Sequence, residues 1–218
     1  MELFHFDIET VGSYKDYNDL LLNDKRGADL FLKKFNKMNW VEKYDDIDSA
    51  YINNAGIIST FGKIICISSG YINNNGSVSI GSYFGDNEVD IINDFNNLLI
   101  KVEKKSFNLS GFRIINFDIP WFLHKCFKYK IKPADIVVTH NKKPWEMRIT
   151  DISEDWKGRF AWSPSFDEVA YELDIDSSKS IMSGSDVHTK YWSGYLNEIK
   201  DYCEQDVRAS IEISKLIY

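Results

Sequence analysis

Asp7 and Glu9 stand two residues apart in a stretch where Leu3, His5, Asp7 and Glu9 alternate with Phe4, Phe6 and Ile8. A period of two is that of a strand, so both carboxylates leave the same face, roughly 6–7 Å apart at the backbone. Acids placed so close repel one another, and the pair needs a raised pKa or a counter-charge, which a hard divalent cation with oxygen ligands supplies. A solvated sheet face would carry the same two residues without any such role. Asp118 lies in Gly111-Phe-Arg-Ile-Ile-Asn-Phe-Asp118-Ile-Pro120, where a strand gives way to a helix. An acid there can serve chemistry or can simply cap the helix. Tyr202 and Asp206, four apart in the last helical pattern, share one helix face. They flank the stripe of Leu196, Ile199, Cys203, Val207 and Ser210, so both border the sheet if that stripe is buried. The alternative is a packed tyrosine and a solvated aspartate.

The elements that must position these groups can be read from the same periodicities. Residues 2–9 form the first strand. Gly62–Gly70 and Val78–Phe84 read as two more, joined through Asn73, Asn74, Asn75 and Gly76, residues that tolerate the positive φ of a hairpin turn. Asp86 can cap a helix running to about Val102, with Val89, Ile92, Phe95, Leu99 and Val102 at helical spacing. Phe107–Ile115 returns as a strand, and Asp118 with Pro120 opens a helix through Phe127, proline being tolerated in a first turn. A last helix runs from about Gly194 to Leu216. This order predicts an α/β fold with a mixed central sheet flanked by helices in three layers. Residues 12–60 are too long for a structureless connector and predict helices near 16–38 as a flap inserted into a single domain spanning 1–218.

Composition limits the function classes. With 44% apolar and 15% aromatic residues the 218-residue chain is a folded globule, and a net charge of −7 excludes binding nucleic acid through a broad basic surface. It leaves room for a phosphodiester held through metals. Cys66, Cys126 and Cys203 have no metal-ligand spacing and suggest neither a disulfide framework nor a zinc site. No apolar run approaches the ~18 residues that span a bilayer. A protein of the cytoplasm is expected, with no membrane partner.

The three acidic segments, Phe-Asp7-Ile-Glu9-Thr, Phe-Asp118-Ile-Pro and Tyr202-x-x-x-Asp206-Val, resemble in that order the three motifs of DEDDy-type 3′-5′ exonucleases. The nearest wording is that of the group related to the proofreading domain of family B DNA polymerases. The likeness runs from residue 4 to about 213 and includes Phe61-Gly-Lys-Ile-Ile-Cys-Ile-Ser, Asp151 with Trp156, and Gly184-Ser-Asp-Val before Tyr191-Trp192. It implies a ribonuclease-H-like fold and two divalent cations, Mg²⁺ or Mn²⁺, with Asp7 bridging both. By the same resemblance Glu9 and Asp206 complete one site, Asp118 supports the other, and Tyr202 orients the attacking water. The sister group has His five residues before the last acid; here that residue is Asp201, so the tyrosine branch is selected, and His5, His124, His140 and His188 receive no catalytic role. Ile8, Thr10, Arg113, Asn116 and Phe117, which flank the acids, are candidate substrate contacts. Arg113 stands where relatives often have asparagine, and its guanidinium suits a phosphate.

Between His140 and Trp162, Lys142, Lys143, Arg148, Lys157 and Arg159 interleave with Trp145, Trp156, Phe160 and Trp162. Single-strand binders share this pattern, although aromatics in a small domain usually pack. The expected activity is removal of nucleotides from the 3′ end of single-stranded nucleic acid, DNA favoured over RNA. An RNA trimmer resembling ribonuclease D and a catalytically inactive nucleic-acid-binding module are the alternatives.

Overall fold

The computed structural model describes residues 2–177 and 182–218. Its sheet has the order β3-β2-β1-β4-β5, made of β1 (Glu2–Gly12), β2 (Gly62–Ile72), β3 (Val78–Phe84), β4 (Phe107–Gly111) and β5 (Ile149–Asp151). β1 pairs antiparallel with β2 and parallel with β4, and the β2–β3 hairpin turns through Gly76 at φ 82°, a conformation that only glycine adopts freely. The sheet is mixed, and helices cover both faces.

One face carries α4 (Glu88–Glu103) and α5 (Asp118–Lys128). Phe4, Phe6 and Ile8 of β1 and Ile64 and Ile67 of β2 meet Ile92, Phe95, Leu99 and Phe122 there in the main core. The other face is covered by α8 (Val187–Trp192) and α9 (Leu196–Ile217), whose Tyr191, Ile199 and Tyr202 pack on Val11 and Ile65. Residues opposite one another in an antiparallel pair share a face. Asp7 faces Ser68 and Glu9 faces Cys66, so all four lie beneath α9. Register then shifts between Glu9 and Thr10, which pairs with Ile64, leaving Ile65 as the extra residue of a bulge.

Between β1 and β2 the chain forms α1 (Tyr17–Asn23), α2 (Lys25–Lys37) and α3 (Ile47–Asn54). These have a core of their own in which Phe31 is surrounded by Tyr17, Trp40, Tyr51 and Phe61. After β5 come α6 (Ile152–Lys157) and α7 (Phe166–Glu172), packed on Ile213 of α9.

Two boundaries and one strand depart most from the sequence expectation. The α4 helix is capped by Asn87, whose side chain accepts from Val89 N–H, because Asp86 is drawn away to accept from the Tyr191 hydroxyl at 2.7 Å. β4 stops at Gly111 rather than Ile115, since Arg113 takes a left-handed φ of 59° that breaks the strand. The edge strand β5, only three residues long, carries too little pattern to be seen in sequence.

Candidate active site

Asp7 and Glu9 are held side by side by β1, and α9 lays Cys203 directly over them. The Cys203 thiol donates to Asp7 Oδ2 at 3.4 Å and to the Asp7 carbonyl at 3.5 Å. One carboxylate oxygen from each acid and the Cys203 Sγ all lie within 4.8 Å of one another.

Asp118 reaches the same place from the opposite side. β4 pairs with β1 only as far as His5, and the start of α5 fills the edge beyond. There Asp118 Oδ1 accepts from Ile8 N–H at 3.1 Å, the amide between the two acids of β1. Asp118 is therefore not the helix cap that its sequence context allowed; Phe117 holds that position. Asp118 is 3% exposed, and the Ile8 bond crosses 110 residues of sequence.

The electrostatics tie the fourth acid to the group. Burial raises the Asp7 carboxyl well above the usual carboxylate range, and Asp118, Glu9 and Asp206 raise it further, against a small opposing pull from the Cys203 thiol. Burial likewise lifts Glu9, helped by Asp206, Cys66 and Asp118. For Asp118, burial pushes the carboxyl up to about 8, opposed by hydrogen bonds from its own backbone N–H and that of Ile8. Among the described residues the side chains acting on Asp7 and Glu9 are thus acids and thiols. Such a set is stable when protons or cations neutralise it. Its donors are hard carboxylate oxygens, the chemistry that Mg²⁺ and Mn²⁺ select, so the residues present fit divalent ions.

A sequence model of a family described as "Predicted 3'-5' exonuclease related to the exonuclease domain of PolB" matches residues 57–210. The chain belongs to that family. The matched segment contains Asp118, Tyr202 and Asp206 and leaves out Asp7 and Glu9. Among solved structures, the family B DNA polymerase of the hyperthermophilic archaeon Pyrobaculum calidifontis is similar at a TM-score of 0.62 and 12% identity, over 99% of this chain and 24% of that one. That likeness establishes the fold, and this PolB-related chain spans about a quarter of the polymerase's length. No curated protein matches it.

The remaining sequence candidates fall at various distances from the acids. Tyr202 is buried under α8 with Val11 and Ile65, one residue from Cys203 on α9. Ile8 sends its side chain into the main core and offers the site only its backbone. The Thr10 hydroxyl donates to the Gly56 carbonyl, tying β1 to the end of the inserted helices. Arg113 is exposed; its Nη2 donates to the Pro164 carbonyl at 2.9 Å. Asn116 is exposed, its N–H on the Arg113 carbonyl, and the Phe117 ring packs on Trp121.

Two residues of the site were given no role by the sequence reading. Cys203 was visible only as the centre of an apolar stripe; its place three residues before Asp206 puts it on the face turned to β1. Asp151 braces the segment before Asp118, accepting from Arg113 N–H at 3.0 Å and Ile115 N–H at 3.1 Å, and it also caps α6 by accepting from Ser153 N–H. An aspartate ahead of Ser-Glu is a recognisable cap, but its two long-range partners have no sequence signal.

Proposed function

We propose that this chain is a divalent-metal-dependent exonuclease that hydrolyses phosphodiester bonds from the 3′ end of single-stranded nucleic acid, DNA in preference to RNA. The observation that supports the reading is the gathering of Asp7 and Glu9 on one strand, with Asp118 on the Ile8 N–H between them and Asp206 repelling both. Membership of a family of predicted PolB-related exonucleases supports the reaction class, and the relation to a DNA polymerase supports the preference for DNA.

In this reading the four carboxylates hold two Mg²⁺ or Mn²⁺ ions. When bound, such a pair lowers the pKa of water and stabilises both the attacking and the leaving oxygen of an in-line displacement. The chain's own groups orient the acids. The Cys203 thiol fixes the Asp7 carboxylate, Ile8 N–H fixes that of Asp118, and the bulge after Glu9 sets the pitch of β1 beside them. Tyr202 is assigned the attacking water. Arg113, with one of its five donors on Pro164, is assigned a phosphate. The helices between β1 and β2 form a flap within one exonuclease unit. Among the described residues no helix is long and apolar enough to cross a membrane; the three cysteines are free thiols, which suits a reducing, cytoplasmic setting.

The test is incubation of labelled single-stranded DNA and RNA of matched sequence with Mg²⁺ or Mn²⁺, beside EDTA controls and an Asp7→Asn variant. Stepwise release of mononucleotides from the 3′ end is expected, falling on the order of 10³-fold or more in the variant, or ~4 kcal/mol of transition-state stabilisation, and ceasing in EDTA. Cleavage that survives the chelator or the substitution overturns the assignment.

A further inference from the structure

Downstream of Asp151 the chain leaves unusually large aromatic side chains in water. Phe160 is 78% and Trp162 75% exposed, and with Trp156, Lys157 and Pro164 they line an open pocket of about 430 Å³. Trp156 is braced from behind by the small core of α6, α7 and α9, so it offers a fixed face rather than a mobile ring. Gly158, at φ 54° with open space around it, turns the chain so that the helix end and the loop face one another.

Charge singles out what such a surface would hold. Trp156–Pro164 contains Lys157 and Arg159 and no carboxylate, in a protein of net charge −7. Aromatic faces interleaved with cations, in a stretch without a carboxylate that follows directly on Glu154 and Asp155, suit a strand whose bases stack while its phosphates are neutralised. A docked apolar protein segment would have no use for the cations.

The pocket is also built onto the site. The Arg113 guanidinium bonds the carbonyl of Pro164, one of its lining residues. The carboxylate of Asp151 simultaneously holds Arg113 N–H, Ile115 N–H and the first turn of the helix that bears Trp156 and Lys157. Five residues beyond Arg113 the same segment delivers Asp118. A strand whose end lies at the acids therefore has a rigidly attached surface on which its upstream nucleotides can lie.

We infer that the Trp156–Phe160–Trp162 pocket, with Lys157 and Arg159, is a stacking subsite for nucleotides of a single strand upstream of the 3′ end. This rests on the exonuclease reading for its orientation but not for its binding.

The experiment measures quenching of tryptophan fluorescence by oligothymidylate and oligouridylate of about a dozen nucleotides, within the usual site size of such surfaces. It is done in EDTA, so that nothing is cleaved, and beside it hydrolysis of the same strands and of a dinucleotide too short to reach the pocket is followed with Mn²⁺. For Trp162→Ala and Phe160→Ala, both exposed and so not expected to disturb folding, affinity for the long strands should fall about tenfold each, a typical loss for one stacked base. Their KM should rise in step, while dinucleotide turnover stays as in wild type. Lys157→Ala and Arg159→Ala should each flatten the slope of log affinity against log salt by about 0.7, one single-strand phosphate apiece. Unchanged long-strand affinity in the aromatic variants overturns the proposal, as does an equal loss on the dinucleotide or a self-association in sedimentation that Phe160→Ala abolishes. Strand binding that is lost on these substitutions in a protein that cleaves neither substrate would support the subsite and refute the exonuclease reading instead.

Discussion

Glu88 and Asp7 are carboxylates set against the same sheet, yet among the described residues lysines meet Glu88 while acids and a thiol act on Asp7. Glu88 Oε1 accepts from Ile64 N–H at 2.7 Å and faces Lys125 Nζ at 3.4 Å, while Oε2 takes the Lys128 ammonium at 3.3 Å and the Tyr129 hydroxyl. Lys125, itself 2% exposed, also donates to the carbonyls of Ser59 and Gly62. On the other face of β1 the neighbours of Asp7 are Glu9, Asp118, Asp206 and a thiol. Neutralising a buried acid is thus within this fold's means. The described neighbours of Asp7 instead add to its repulsion, and the difference separates a structural acid from a set suited to binding cations.

The largest effect should come from unbalancing the neutral side. Lys125→Met leaves Glu88 buried beside a methyl group and should destabilise by about 3–5 kcal/mol, the range for breaking one partner of a buried pair. For a chain of this size that is a fall in Tm of roughly 10 °C. Activity per folded molecule should not change. A loss below about 1 kcal/mol, measured by urea titration, would mean that Lys128 and Tyr129 suffice and would weaken the contrast.

An intermediate effect is expected on the acidic side, where Tyr202→Phe removes only a hydroxyl. Its kcat should drop by ~10²-fold, the scale of a positioned proton-handling group, while the rise in Tm on adding Mn²⁺ is retained. Unchanged turnover would return Tyr202 to its packing role beside Val11 and Ile65.

The smallest effect is a stability gain. Carboxyls with raised folded pKa values hold protons that the unfolded chain releases, so their contribution is complete below the ordinary carboxylate range and is lost as pH rises through the folded values. Metal-free wild type should therefore lose Tm between mildly acid pH and pH 8. Asp7→Asn, with one charge fewer, should lose less and be more stable by ~1 kcal/mol in EDTA at pH 8, a shift of roughly 2–4 °C. Mn²⁺ should reverse the order. A variant no more stable than wild type in EDTA would show that the acids are already neutralised within the protein.

Much of this arrangement was legible in sequence where the determinants are local. The hairpin was readable because Val78–Phe84 alternates and Asn73–Gly76 can turn. The α9 face was readable because Cys203, Val207 and Ser210 repeat at helical spacing. What escaped depends on partners far along the chain. Asp86 and Asn87 are equally good caps until Tyr191, 105 residues away, engages the first. Arg113 reads as strand until Asp151 and Pro164 fix it in a left-handed turn. Glu88 does fall on the buried face of α4 with Ile91, Ile92 and Phe95, a signal that something must neutralise it, but Lys125 lies on another helix with no fixed spacing to point it out.

The bond from Ile8 N–H to Asp118 Oδ1 also makes one backbone amide a witness to the docking of α5. Beyond His5 that stretch of β1 has, among the described residues, no strand on its β4 side, so the deuterium uptake of Ile8 is set by a side chain 110 residues away rather than by a ladder. Slow exchange there would report that the beginning and middle of the chain have closed on each other, and its loss in Asp118→Ala would time that opening separately from global unfolding.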